Sequence, residues 1–119
     1  MLITGDQAFF YDRNAFWHNY PLPNLFVVVL NNHGGIIFNM IDGPSSQPEA
    51  EEYFITRQGL RARNLSEEFG FRYSEGTTLG KEFFQRSGTA HIHEIESSQN
   101  LNKSIFEAFR KQIKKSYEA

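Results

Sequence analysis

An open, doubly wound α/β fold, with a mostly parallel sheet and helices on both faces, is what this sequence predicts. Three observations carry that prediction. Short β-branched or aromatic runs alternate with segments of helical periodicity, which is the rhythm of strand–helix–strand units. Residues 25–30 are apolar at every position, as a strand buried on both faces requires. The intervening segments are long enough for right-handed crossovers between parallel strands.

The elements follow in order. Residues 2–4 read as the end of a buried strand. A strand without lead-in frays, so the sequence is expected to be a piece truncated at its N-terminus. Ala8, Tyr11, Ala15, Trp17 and His18 recur on one face and predict a helix over residues 7–20, stopped by Pro21. Residues 25–30 form the next strand, and Asn31, Asn32, His33, Gly34 and Gly35 a polar turn at its C-terminal end. Residues 36–41 are apolar again; residues 42–52 are rich in Pro, Ser and Glu and predict a mobile loop. Ala62, Leu65 and Phe69 share a helical face, with Gly70 placed for a left-handed cap. Residues 71–73 predict a short strand. Thr77 or Thr78 is expected to cap a helix that buries Leu79 and Phe83 and stops at Gly88. Residues 90–95 are a strand, and Leu101, Ile105, Phe109 and Ile113 mark a final amphipathic helix.

At 119 residues the chain is expected to be a single domain, 1–119. A formal charge of -2 argues against a nucleic-acid partner, which needs a basic footprint. The absence of cysteine excludes a disulfide framework, a thiolate zinc site and a thiol nucleophile. The longest apolar run, residues 25–30, falls far short of the ~20 residues that span a bilayer, and no charged-then-apolar leader opens the chain. No membrane insertion and a cytoplasmic location are the expectation.

Ligands of open α/β sheets bind beyond the carboxyl ends of the strands. Two such ends are conspicuously polar: Gly5 and Asp6, and the turn from Asn31 to Gly35. The acid and Asn32 lie about one strand–helix–strand unit apart, so the fold can bring them together. A carboxylate, an amide oxygen and a carbonyl freed by a glycine turn are hard oxygen donors of the type Mg²⁺ takes, with phosphate oxygens and water completing the shell. The free N–H groups of the helix after Asp6 suit a phosphate at the same place. The same residues fit equally well a simple helix start and strand end, and composition leaves both readings open.

The order Gly5, Asp6, some 25 residues, Asn31, Asn32 resembles the diphosphate-binding motif of thiamine-diphosphate enzymes. Asp12 and Asn14, with Gly34, Gly35, Ile37 and Phe38, are similar to the C-terminal domain of the 2-succinyl-5-enolpyruvyl-6-hydroxy-3-cyclohexene-1-carboxylate synthases of menaquinone biosynthesis. The similarity is dense over residues 2–41 and thinner beyond. It implies that Asp6, Asn32 and the Gly34 carbonyl ligate Mg²⁺ (or Mn²⁺). It implies further that Gly5, Gln7 and Ala8 meet the diphosphate, and that Ile37 and Phe38 line the cofactor pocket. The implied reaction decarboxylates 2-oxoglutarate and adds the resulting acyl-anion equivalent to isochorismate. The implied partners are N-terminal and central domains that hold the activating glutamate and most substrate-binding arginines, in a homo-oligomer, dimer or tetramer. No catalytic residue then falls within this chain, and the isolated segment is expected to be inactive. Two departures stand out: His33 replaces an Asn or Asp, and Gln58 replaces a frequent His before Gly59 and Leu60. Another thiamine-diphosphate-dependent 2-oxo acid decarboxylase resembling acetolactate synthase, or a non-catalytic assembly domain, are the rival readings.

Other features have plainer readings. Residues 76–81 only superficially match a P-loop, since the glycines are too close and Glu82 replaces the Ser or Thr. His91 and His93 share one strand face and are expected to be structural. The basic residues of the last helix suit its dipole. Phe9, Phe10, Phe16 and Trp17 are too many aromatics for one buried face, and self-association is expected.

Overall fold

The computed structural model describes residues 1–41 and 43–118. Asp42, the first residue of the expected loop, and Ala119, the last of the expected domain 1–119, lie outside the described residues. Four strands, β1 (Leu2–Gly5), β2 (Phe26–Asn31), β3 (Arg72–Glu75) and β4 (His91–Glu96), form one sheet in the order β1-β2-β4-β3. All three pairings are parallel, so the α/β class and the open parallel sheet are as the alternation of patterns predicts. The chain between β2 and β3 passes over the position of β4, and β4 then fills the gap from the far side.

Alternation along β2 sorts the core. Val27 and Val29 are fully buried on one face, where Phe9, Ala62, Leu65, Phe71, Ala90 and Ile92 join them. Helices α1 (Asp6–Tyr11) and α3 (Ala62–Phe69) supply Phe9, Ala62 and Leu65 to that face. On the opposite face, Phe83 is 1% exposed and packs its ring 5.7 Å from Phe26 and 4.8 Å from His91. Ile3 and Leu30, further along that face, remain exposed.

Helix α3 ends at Gly70, whose φ of 69° is the left-handed conformation expected there. The last helix, α4 (Gln99–Glu118), is present as its four-residue repeat predicts. Two expected helices differ. The first ends at Tyr11 instead of residue 20: the Asp12 N–H bonds back to the Ala8 carbonyl, and the chain continues as a 3₁₀ turn over Arg13–Phe16. Left-handed backbone at Asn19 and Leu22 then breaks regular structure before β2. The second shrinks to the 3₁₀ turn Lys81–Phe84. One inward anchor, Phe83, suffices there, while Leu79 stays 37% exposed, so no apolar stripe supports a longer helix. The expected loop over residues 42–52 instead holds the 3₁₀ turn Pro44–Ser46 and the start of a π-helical turn, Ala50–Ile55. A four-residue helix, α2 (Ile37–Met40), precedes them.

Candidate functional site

Parallel register builds the site. Gly5 pairs with Leu30, so one residue further along each chain Asp6 and Asn31 emerge side by side. Asp6 opens α1 and is 3% exposed, an unusual burial for an acid. At the same edge the chain turns after Asn31, with His33 in the left-handed region at φ 61°. The His33 N–H donates to Asn31 Oδ1 at 3.1 Å, which closes this turn.

The two glycines that follow are pinched. A Cβ on Gly34 would stand 2.6 Å from Gln99 Nε2 and 2.9 Å from the Ile55 carbonyl oxygen. On Gly35 it would stand 2.8 Å from the Phe54 carbonyl oxygen. The Ile55 carbonyl explains the crowding, because it accepts from the Gly35 N–H at 2.6 Å and from Gln7 Nε2 at 3.0 Å. The π-helical turn thus clamps the start of α1 to the glycine turn, and π-turns concentrate at sites of this kind.

Two buried polar groups lack partners. Asn32 Oδ1, and both amide atoms of Gln99 at the start of α4, make no hydrogen bond among the described residues. Asn32 and Gln99 border a polar cavity of about 580 Å³ together with Gln58 and Ser98. A second cavity, of about 620 Å³, runs past Gln7, Ala8 and Phe10, and Gln58 again forms part of its wall. Ile37 is exposed and Phe38 half-buried on α2, with Phe38 packed 5.8 Å from the Phe54 ring. Neither borders the two cavities.

Asp6 follows β1, and Asn32 and Gly34 follow β2, at the same carboxyl end of the sheet. Asp6 offers a carboxylate, Asn32 a buried amide oxygen with no competing donor, and Gly34 a carbonyl that accepts from the Ile36 N–H at 3.0 Å and retains a lone pair. This oxygen set suits Mg²⁺. No three His, Asp or Glu side chains cluster as a metal centre among the described residues.

Side chains that the sequence leaves unremarked connect the site to the core. Glu94, fully buried on β4, accepts from Asn31 Nδ2 at 2.7 Å, from the Ala62 N–H at 3.1 Å and from the Tyr73 hydroxyl at 2.7 Å. Arg61 adds its Nε at 3.2 Å. Burial alone would raise the Glu94 carboxyl, but these hydrogen bonds together outweigh it and hold the group below the ordinary carboxylate range. Burial and the hydrogen bonds to Glu94 and Glu75 push the Tyr73 phenol above its usual range. Glu94 points away from His91 and His93, as strand alternation requires. Those histidines are structural: their ring nitrogens meet Ser74 Oγ, both at 2.8 Å, and the Phe83 and Gly76 carbonyls, both at 3.0 Å. Phe9, Phe10 and Phe16 are absorbed into the core or packed against it. Trp17 alone of the four aromatics is strongly exposed, at 75%.

No protein-family model matches the chain. Curated relatives do. It is 52% identical to the 2-succinyl-5-enolpyruvyl-6-hydroxy-3-cyclohexene-1-carboxylate synthase of Cytophaga hutchinsonii, over 98% of this chain and 22% of that protein. Synthases of the same name from Christiangramia forsetii and Porphyromonas gingivalis are 34% and 33% identical, over 87% and 92% of this chain and 19% and 20% of theirs. The chain spans about a fifth of the length of the curated relatives it matches.

Proposed function

This chain belongs with the 2-succinyl-5-enolpyruvyl-6-hydroxy-3-cyclohexene-1-carboxylate synthases, and on that premise we propose that it is their cofactor-diphosphate-binding segment, a single C-terminal domain. The whole enzyme, on this reading, is a cytoplasmic thiamine-diphosphate- and Mg²⁺-dependent carboligase of menaquinone biosynthesis. It decarboxylates 2-oxoglutarate and joins the remaining four-carbon unit to isochorismate. When bound, thiamine diphosphate supplies the decarboxylation and the inversion of polarity at the former carbonyl carbon.

One observation carries the proposal. Adjacent parallel strands deliver a buried acid, Asp6, and a buried, unpartnered amide oxygen, Asn32 Oδ1, to the same sheet edge. Leaving the Asn32 oxygen unpaired is costly, and a divalent cation beside the Asp6 carboxylate would satisfy it. Asp6, Asn32 and the Gly34 carbonyl would hold the cation, with Mn²⁺ as an alternative to Mg²⁺. Gly5, Gln7 and Ala8 would face the diphosphate where α1 begins. Ile37 and Phe38 would shield the rings from water once the other domains close over α2. This chain contributes binding and orientation; proton transfer belongs to residues outside it, so the 119 residues alone are expected to give no turnover.

Substrate competition tests the reading. A full-length synthase carrying this segment should consume 2-oxoglutarate only when isochorismate is present, and should ignore pyruvate. Efficient turnover of pyruvate to acetolactate would instead place the chain with other 2-oxo acid carboligases. Tight cofactor binding with no turnover of either acid would make it a non-catalytic assembly domain.

A further inference from the structure

The Asp6 carboxylate is not alone at the sheet edge. Gln58, on the segment between the π-helical turn and α3, donates from Nε2 to Asp6 Oδ2 at 2.7 Å and to Asn31 Oδ1 at 3.1 Å. Its orientation is fixed, because Gln58 Oε1 accepts from the Leu60 N–H, which leaves the NH₂ end facing the two acceptors. The backbone is pinned as well: the Gln58 N–H reaches the His33 carbonyl at 3.2 Å, and His33 Nδ1 meets the Gln58 carbonyl at 3.1 Å. Asn31 is oriented in turn by donating Nδ2 to Glu94 and to the Leu60 carbonyl. Both hydrogens of the Gln58 amide are therefore committed, one to Asp6 Oδ2 and the other to Asn31 Oδ1.

From this we infer that Gln58 is the positioning residue of the cation site: its amide hydrogen bond to Asp6 Oδ2 reserves that oxygen and presents Oδ1 to the divalent ion. The inference rests on the cation site proposed above. Outer groups of this kind fix the angle and denticity of a ligating carboxylate, and their loss costs ~10–100-fold in metal affinity. The amide also does what a carboxylate cannot, since a second acid against Asp6 would repel it. Because Gln58 borders both cavities, it sits between the Asn32 side of the site and the α1 side.

The test measures Mn²⁺ binding by electron paramagnetic resonance, in the presence of thiamine diphosphate, on the full-length synthase. Gln58→Met keeps the side-chain length and removes the donor; cation affinity should fall ~10–100-fold. Gln58→His keeps a ring N–H donor in place of the amide and should hold the ion more tightly than Gln58→Met does. Affinity of Gln58→Met within twofold of wild type, while Asn32→Ala loses the ion, would overturn the role of Gln58 alone. Normal binding by Asn32→Ala would overturn the cation site itself. A loss in Gln58→His as large as that in Asn32→Ala would reduce Gln58 to a structural contact and also contradict the inference; that comparison still decides if Gln58→Met fails to fold.

Discussion

Single residues at this sheet edge have little freedom to change. Gly35→Ala should destabilise the protein by about 1–3 kcal/mol, the usual cost of overpacking, because its Cβ would press on the Phe54 backbone; urea unfolding measures this. Two buried groups of β4, His91 and Glu94, shape the response to acid. Burial lowers the His91 imidazole below its ordinary value, so the unfolded chain takes up its proton first and stability falls as pH drops below about 6.5. Glu94, held low by its four donors, contributes stability above the ordinary carboxylate range, and that share is lost as pH falls through about 4 and below. Thermal melts should therefore show a two-stage decline on acidification, with the lower stage removed in Glu94→Gln. The motif residues of the site can be read from sequence because they lie in two short runs. Gln58 and Glu94 cannot, since their partners lie 52 and 63 residues away and only the sheet order brings them together.

At the scale of elements, the strands follow from composition and the helices only in part. Runs such as residues 25–30 read as a strand, and the observed strand differs by a single residue at each end, although Leu30 stays exposed instead of buried. Helix length is decided by competition that periodicity does not register. After Tyr11 the apolar face is already spent on Phe9, and Asp12 turns the chain instead of extending α1. The capping of α3 shows the same limit. Its first N–H groups find no side chain in the N-cap residue Arg61; Glu94, from β4, accepts the Ala62 N–H instead. Two substitutions separate local from remote stabilisation. Gly70→Ala, which forces a Cβ into the left-handed cap, should cost about 1–2 kcal/mol. Glu94→Leu should cost more, about 3–5 kcal/mol, because Asn31, the Ala62 N–H and Tyr73 lose their shared buried acceptor, at about 1–3 kcal/mol for each group left unpaired. Chemical denaturation of both variants checks the order.

Across the whole molecule, shape reports what this segment lacks. The radius of gyration is 17.0 Å, against about 13–14 Å for a compact chain of this length, and α4 leaves Leu101, Ile105 and Phe109 more than half exposed. Exposed apolar stripes of this size mark contact surfaces. The isolated 119 residues should accordingly self-associate, with a sedimentation coefficient that rises with concentration and falls back in Leu101→Lys combined with Phe109→Lys; a concentration-independent monomer would count against this. No helix among the described residues is long and apolar enough to cross a membrane.

The central claim is that Asp6 and Asn32 share one divalent cation with a diphosphate. Titration calorimetry of thiamine diphosphate into the full-length synthase, with and without Mg²⁺, tests it most directly. The wild type should bind the cofactor tightly only with Mg²⁺, and Asp6→Ala should bind it equally weakly in either buffer. Mg²⁺-dependent affinity that survives unchanged in Asp6→Ala would contradict the account.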